Sequence, residues 1–197
     1  MMPYMETVFT FNDITKCSEI PVVLTIGMYD GVHLGHQKVL SEAKKIALTK
    51  GAILLAITFS NHPTEILHPG IVREPIYPVD LKCEYLAQSG VDLVLLTPFT
   101  EDFAKQTAEE FLTFVDEHQS FSDIVLGYDA TFGSDQENNR QHVLQAANKF
   151  HADVHYISAL SIDEQPVSSR RIRELLKEND ILAAEKLLGR RFSVSQT

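Results

Sequence analysis

The segment TIGMYDGVHLGHQ, Thr25 to Gln37, sets His33 and His36 on either side of Gly35, directly after an apolar run. Imidazoles three residues apart can do two kinds of chemistry here. With His36 opening a helix, the rings would meet free backbone N–H groups and the positive end of the helix dipole. Donors gathered in that way stabilise charge developing on a phosphate under attack. Gly35 would let a phosphate or a flat base approach the backbone, and Gly27 and Gly31 would shape the loop before it. The rival chemistry is zinc held by Asp30, His33 and His36, but structural zinc sites want a fourth ligand and usually cysteine. Cys17 and Cys83 lie far away in sequence and show neither metal nor disulfide spacing.

A second chemical stretch is PVSSRRIREL, Pro166 to Leu175. Ser168 or Ser169 would cap a helix whose buried face is Ile172, Leu175 and Leu176. Serine hydroxyls, helix N–H groups and guanidinium groups meeting at one helix end make an anion site. Arg170, Arg171, Arg173, Arg190 and Arg191 all fall within 22 residues of a chain whose net charge is −10. Such a cluster suits either a small anionic ligand or a solvated helix face.

The elements that would position these residues alternate. Apolar runs at Val22–Ile26, Ala52–Phe59, Asp92–Thr97, Asp123–Gly127 and Asp153–Ser158 read as buried strands. Between and after them, amphipathic patterns predict helices over His36–Lys50, Asp80–Ser89, the stretch capped by Thr107 and Glu110, the stretch around Val143–Phe150, Ser169–Glu178 and Asp180–Leu188. Strands apolar on both faces and separated by helices predict a doubly wound, Rossmann-like parallel sheet of about five strands in a single α/β domain. Ligands of such sheets bind beyond the carboxyl ends of the strands, where both motifs would then lie. The long polar connections Ser60–Val79 and Tyr128–Asn139 would border the same edge. His68, His118, His142, His151 and His155 read as surface or helix-end residues, and Tyr77, Tyr85 and Tyr156 as packing residues.

An acidic chain gains little from nucleic acid or an anionic membrane surface. Its longest apolar run, Ala52–Phe59, is far short of the roughly 20 residues of a membrane span. The first residues lack the pattern of a secretory signal, which predicts a cytoplasmic protein with reduced thiols.

Four segments, IGMYDGVHLGHQKVL, TFSNHP, VLGYDATFG and VSSRRIRELL with LLGRRFSVS, occur in the order seen in bacterial FAD synthetases. The chain resembles that family of riboflavin kinase/FMN adenylyltransferases from about Val22 to Ser195. The H-x-G-H element alone is shared with nucleotidylyltransferases acting on other phosphorylated acceptors. The resemblance implies adenylyl transfer from ATP to FMN, giving FAD and pyrophosphate with no covalent intermediate, with Mg²⁺ carried on the ATP phosphates and no protein-held metal. It implies catalytic roles for His33, His36 and Arg173. Gly27, Tyr29, Asp30, Gly31, Gly35, Ser168, Ser169 and Arg171 would surround ATP, and His62, Pro63, Asp129 and Phe132 would lie beside FMN. Met28, Tyr29, Asn61, Ala130 and Arg170 depart from the family pattern, which bears on flavin binding more than on adenylyl transfer. Residues 189–197 would lead into a riboflavin kinase barrel that the sequence lacks, so that activity would come from a missing domain or a separate protein. Two further readings stay open: another phosphorylated acceptor, or a catalytically weak flavin- or nucleotide-binding remnant.

Overall fold

A computed structural model describes residues 6–8, 20–71, 73–134 and 139–193. Cys17, the N-terminal segment and part of the 128–139 connection fall outside these residues. The five expected strands are present as β2 (Val22–Ile26), β3 (Ile53–Phe59), β4 (Leu93–Thr97), β5 (Asp123–Gly127) and β6 (Asp153–Ile157), preceded by the short β1 (Glu6–Val8). Three residues are too few to leave a periodic signature, so β1 was not expected. Among the described residues the sheet runs β1-β4-β3-β2-β5-β6, every neighbouring pair parallel. The chain winds outward from β2 in one direction and resumes at β5 in the other. The crevice between the ends of β2 and β5 is therefore the switch point where such sheets take ligands.

The strands are apolar on both faces because helices cover both. Val22, Leu24 and Ile26 face one cluster with Phe111, Leu112, Val115 and Val143, from α5 (Ala108–His118) and α6 (Asn139–Lys149). Val23 faces the other with Leu40, Ala43 and Leu86, from α1 (Leu34–Lys50) and α3 (Val79–Gln88). The period of two along β2 is the pleat itself. A third cluster, Tyr77, Val167, Ile172, Leu187 and Leu188, fastens α7 (Ser169–Lys177) and α8 (Ile181–Leu188) beside the start of α1. The predicted capping box is formed: Thr107 accepts from the Glu110 N–H and the Glu110 carboxylate accepts in return.

Two short helices and a hairpin were not anticipated. The Ser60–Val79 connection contains α2 (Pro63–Leu67), and α4 (Glu101–Lys105) precedes α5. Strands β7 (Ser161–Ile162) and β8 (Gln165–Pro166) form an antiparallel hairpin just before α7. Among the described residues no helix is long and apolar enough to cross a membrane.

At the amino ends of β5 and β6 the fully buried Asp123 carboxylate accepts from Lys50 at 2.7 Å, His155 at 2.9 Å and Ser122 at 2.6 Å. His155, expected to be an unengaged surface residue, is thus half of a buried polar anchor. Burial raises the Asp123 pKa, but the hydrogen bonds from Lys50, Ser122 and His155 outweigh it and hold the carboxyl below its ordinary range. Asp123→Asn should cost about 2–3 kcal/mol at neutral pH, less than a wholly buried ion pair because Lys50 stays partly solvated. A depressed folded pKa contributes stability above the unfolded value of about 3.9 and loses it as the pH falls through the folded one. Urea titrations of both proteins should therefore differ fully above about pH 4 and converge in stronger acid.

Candidate functional site

The loop after β2 turns sharply before α1. Tyr29 (φ 49°), Gly31 (φ 80°) and Val32 (φ 37°) all occupy the left-handed region, which a β-branched residue such as Val32 rarely enters. Glycine suits φ 80° at 31, and an added Cβ would also press on Ile76 Cδ1 at 2.9 Å. Cross-links hold this turn. Tyr29 Oη bonds Thr25 Oγ1, Thr58 Oγ1 donates to Met28 O at 3.1 Å, and Gln37 Nε2 donates to Val32 O at 2.9 Å. Arg190 donates to Gly31 O and Val32 O and lies over the Tyr85 ring, 3.7 Å from its centroid.

The expectation that His36 begins the helix is not met: α1 begins at Leu34, with His33 as its cap. The reason is a hydrogen bond: His33 Nδ1 accepts the His36 N–H at 3.3 Å. That acceptor role puts the His33 proton on Nε2, leaving a donor there. The two rings stack with centroids 3.6 Å apart and planes 15° from parallel. Burial lowers the His33 pKa to about 4, with Arg190 and Arg173 adding to the effect. His36 is also driven well down, by burial first and then by His33, Arg190 and Lys82. Both are neutral imidazoles at physiological pH.

The tip of α7 comes to the same place. Ser168 is its N-cap, accepting from the Arg171 N–H at 3.3 Å. Ser169 Oγ donates to Asp30 O at 2.9 Å, and Arg173 Nη2 lies 2.7 Å from Asp30 Oδ2. A Cβ on Gly35 would crowd the His33 ring at 3.1 Å and Val167 O, just before α7, at 3.3 Å. Two helix N-termini therefore converge at the carboxyl edge of the sheet. Asp30 is tied to Arg173 and to the Ile76 N–H, so the trio with His33 and His36 is not gathered as a zinc site.

The arginines do not act as one cluster. Arg170 pairs with Glu174 in solvent, Arg171 donates to Ile162 O and Gln165 O of the hairpin, Arg190 braces the loop after β2, and Arg191 is exposed. Of the five, Arg173 alone pairs with Asp30 between the converging tips.

A cavity of about 70 Å³ adjoins this junction, lined by Met28, Asp30, Asn61, His62, Arg73 and Lys82 among others. Nothing in the sequence pattern marks Lys82 or Arg73 as a site residue. Lys82 is buried, with Nζ 2.5 Å from Phe59 O and 3.5 Å from Met28 O. A lone lysine in a predicted helix carries no signal of burial, which only the strand ends around it reveal.

The sequence matches the FAD synthetase family over residues 15–171. It is 34% identical over 168 residues to a FAD synthetase of Listeria monocytogenes, covering 85% of this chain and 68% of that one. The chain belongs to the FAD synthetase family. It is also 33% identical to a bifunctional riboflavin kinase/FMN adenylyltransferase of Buchnera aphidicola, covering 87% of this chain. It spans little more than half of that relative, 56% of its length. A crystal structure from Streptococcus pneumoniae, described as a macrolide-efflux protein, superposes with a TM-score of 0.85 at 28% identity, covering 95% of this chain and 60% of that one. Thermotoga maritima TmcAL shares the fold at 16% identity, with a TM-score of 0.58, covering 84% of this chain and 52% of that one.

The residues that the FAD synthetase resemblance puts beside FMN have local tasks as well. His62 caps α2, accepting the Thr64 N–H at 3.1 Å, and Pro63 occupies its first turn. Asp129 is exposed beyond β5, and Phe132 packs edge-on to Phe111 with centroids 5.6 Å apart. Phe59, Phe103, Phe111 and Phe132 form a chain of edge-to-face rings from the end of β3 to the loop after β5.

The imidazole pair sets a pH signature. Both groups have folded pKa values below the unfolded 6.5, so their contribution to stability is complete above pH 6.5 and is lost as the pH falls toward 4. Ring NMR signals of His33 and His36 in the ligand-free protein should stay at their neutral positions from pH 8 to about 5. Titration of either ring near 6.5 would refute their burial as neutral donors.

Proposed function

We propose that this chain transfers AMP from ATP to FMN, yielding FAD and pyrophosphate. The observation that carries the reading is the meeting of the α1 and α7 tips across Asp30, with two neutral imidazoles and a guanidinium at the junction. A triphosphate there would lie against free N–H groups of both helices and the His33 Nε2 donor. An oxygen of the FMN phosphate attacks the α-phosphorus, a new P–O bond forms, and the bond to the bridging oxygen breaks as pyrophosphate leaves. No side chain becomes covalently attached. The site's contribution is alignment and stabilisation of developing charge.

On this reading His33, His36 and Arg173 face the phosphates undergoing transfer. Gly27, Tyr29, Asp30, Gly31, Gly35, Ser168 and Ser169 form the ATP cradle, and His62, Pro63, Asp129 and Phe132 border the flavin, where the edge of the phenylalanine chain suits a flat ring. Arg171 contributes by fastening the hairpin before Ser168. Asp30 is already paired with Arg173, so with His33 and His36 it does not fit a resident metal. Mg²⁺ therefore enters this proposal as part of the nucleotide substrate. The same reading treats residues 1–197 as one nucleotidylyltransferase domain working in the cytoplasm, with FMN supplied by a riboflavin kinase.

The test is incubation with ATP, Mg²⁺ and FMN, followed by chromatographic detection of FAD. Riboflavin, which has no phosphate to attack with, should give none. Nicotinamide mononucleotide and phosphopantetheine should fail as acceptors. His36→Ala should keep the far-ultraviolet circular dichroism spectrum and lower kcat about 10²–10³-fold, the loss typical of one oxyanion donor. A variant turning over at the wild-type rate would remove His36 from the mechanism.

A further inference from the structure

Lys82 stands in the wrong place for an ordinary lysine. It lies in the first turn of α3, where the helix dipole disfavours a cation, and only 6% of it is exposed. Surface lysines carry their ammonium into water, whereas this one is drawn inward to the ends of two strands. Burial lowers its pKa, against the opposing influence of Cys83 and Asp30. A methionine would fill the same volume without the desolvation penalty. Stapling the Phe59 and Met28 carbonyls accounts for two of its three N–H donors.

The third donor belongs to a group that lines the cavity shared with Asp30, His62 and Arg73. Asp30 is already paired with Arg173, and Glu65 accepts from the His62 N–H, so both acids at this cavity have partners. Burial lowers the His62 pKa, and Arg73 and Arg173 add to that against the opposing influence of Asp30 and Glu65. Lys82 is also close enough to His36 to lower its pKa. A buried cation thus shares a cavity with the histidine expected beside the acceptor and acts on His36 of the imidazole pair.

We propose that Lys82 binds the phosphate monoester of the acceptor and so makes the site select a phosphorylated flavin over its unphosphorylated form. This rests on the adenylyl-transfer reading and deepens it. The attacking phosphate must be brought, against charge repulsion, to a nucleotide already held by the imidazoles. An ammonium fixed by two carbonyls on the acceptor side supplies attraction where it is needed, with little rotamer freedom left to lose.

The test compares FMN and riboflavin binding by quenching of flavin fluorescence, in the wild-type chain and in Lys82→Met. Wild type should bind FMN more tightly than riboflavin. Lys82→Met should weaken FMN about tenfold or more while changing riboflavin less than about twofold, with ATP affinity by calorimetry unchanged. Equal weakening of both flavins, or an FMN preference that survives, would reduce Lys82 to a structural staple and overturn the assignment. Lys82→Gln, which keeps one donor for Phe59 O, answers the same question if the methionine variant does not fold. A wild-type chain that binds both flavins equally overturns the assignment without any variant. A wild-type chain that binds ATP but neither flavin overturns the FMN reading itself, and the role of Lys82 with it.

Discussion

One carboxylate holds the two halves of the site together. Asp30 reaches the Ile76 N–H, the Arg173 guanidinium and, through its own carbonyl, the Ser169 hydroxyl. Ile76 lies 46 residues away and Ser169 and Arg173 of α7 lie 139 and 143 away, so two distant segments meet at one buried residue. The meeting requires a backbone turn that the chain would not choose. Left-handed residues at 29 and 32 each cost on the order of 1–3 kcal/mol when the residue is not glycine. Such a turn persists only where its surroundings over-determine it. Here Arg190, Gln37 and Thr58 grip its carbonyls, and Ile76 fills the space that Gly31 leaves open.

The electrostatic layout follows from that geometry. The chain carries a net charge of −10, yet the junction gathers Lys82, Arg73 and Arg173 around a paired carboxylate. Histidines placed among those cations stay neutral, since burial and neighbouring positive charge act in the same direction. A neutral ring still offers an N–H without first taking up a proton.

Much of this was legible in the sequence, for identifiable reasons. Strands buried on both faces leave unbroken apolar runs, so β2 and β5 were readable to the residue. Capping residues marked the starts of α5 and α7, because Thr107 and Ser168 each satisfy a backbone N–H within three residues. The meeting of the α1 and α7 tips was readable because both come after parallel strands, α1 after β2 and α7 after β6, although the hairpin β7–β8 that precedes α7 was not anticipated. Contacts that depend on tertiary distance stayed hidden. Arg190 reads as one more member of a basic cluster, although it braces a loop 158 residues away. His155 looks like a surface residue until parallel pairing sets β6 beside β5 and brings its ring to Asp123. The start of α1 was misjudged by two residues, because histidine is an uncommon cap and its ring nitrogen does what a serine oxygen usually does.

The Asp30–Arg173 pair looks at first like a competitor for the phosphate that Arg173 would hold on the proposed function. The donor inventory says otherwise. A guanidinium carries five N–H donors in one rigid plane, and the carboxylate contact uses the Nη2 end. Arg173 Nε is buried and has no hydrogen-bond partner among the described residues. A buried donor left unpaired costs free energy in the empty site, which a ligand oxygen would relieve. Pairing one end to Asp30 also removes most of the side chain's rotational freedom before any ligand arrives, so less is lost on binding. The carboxylate that ties the fold together at this edge is thereby the group that aims the arginine.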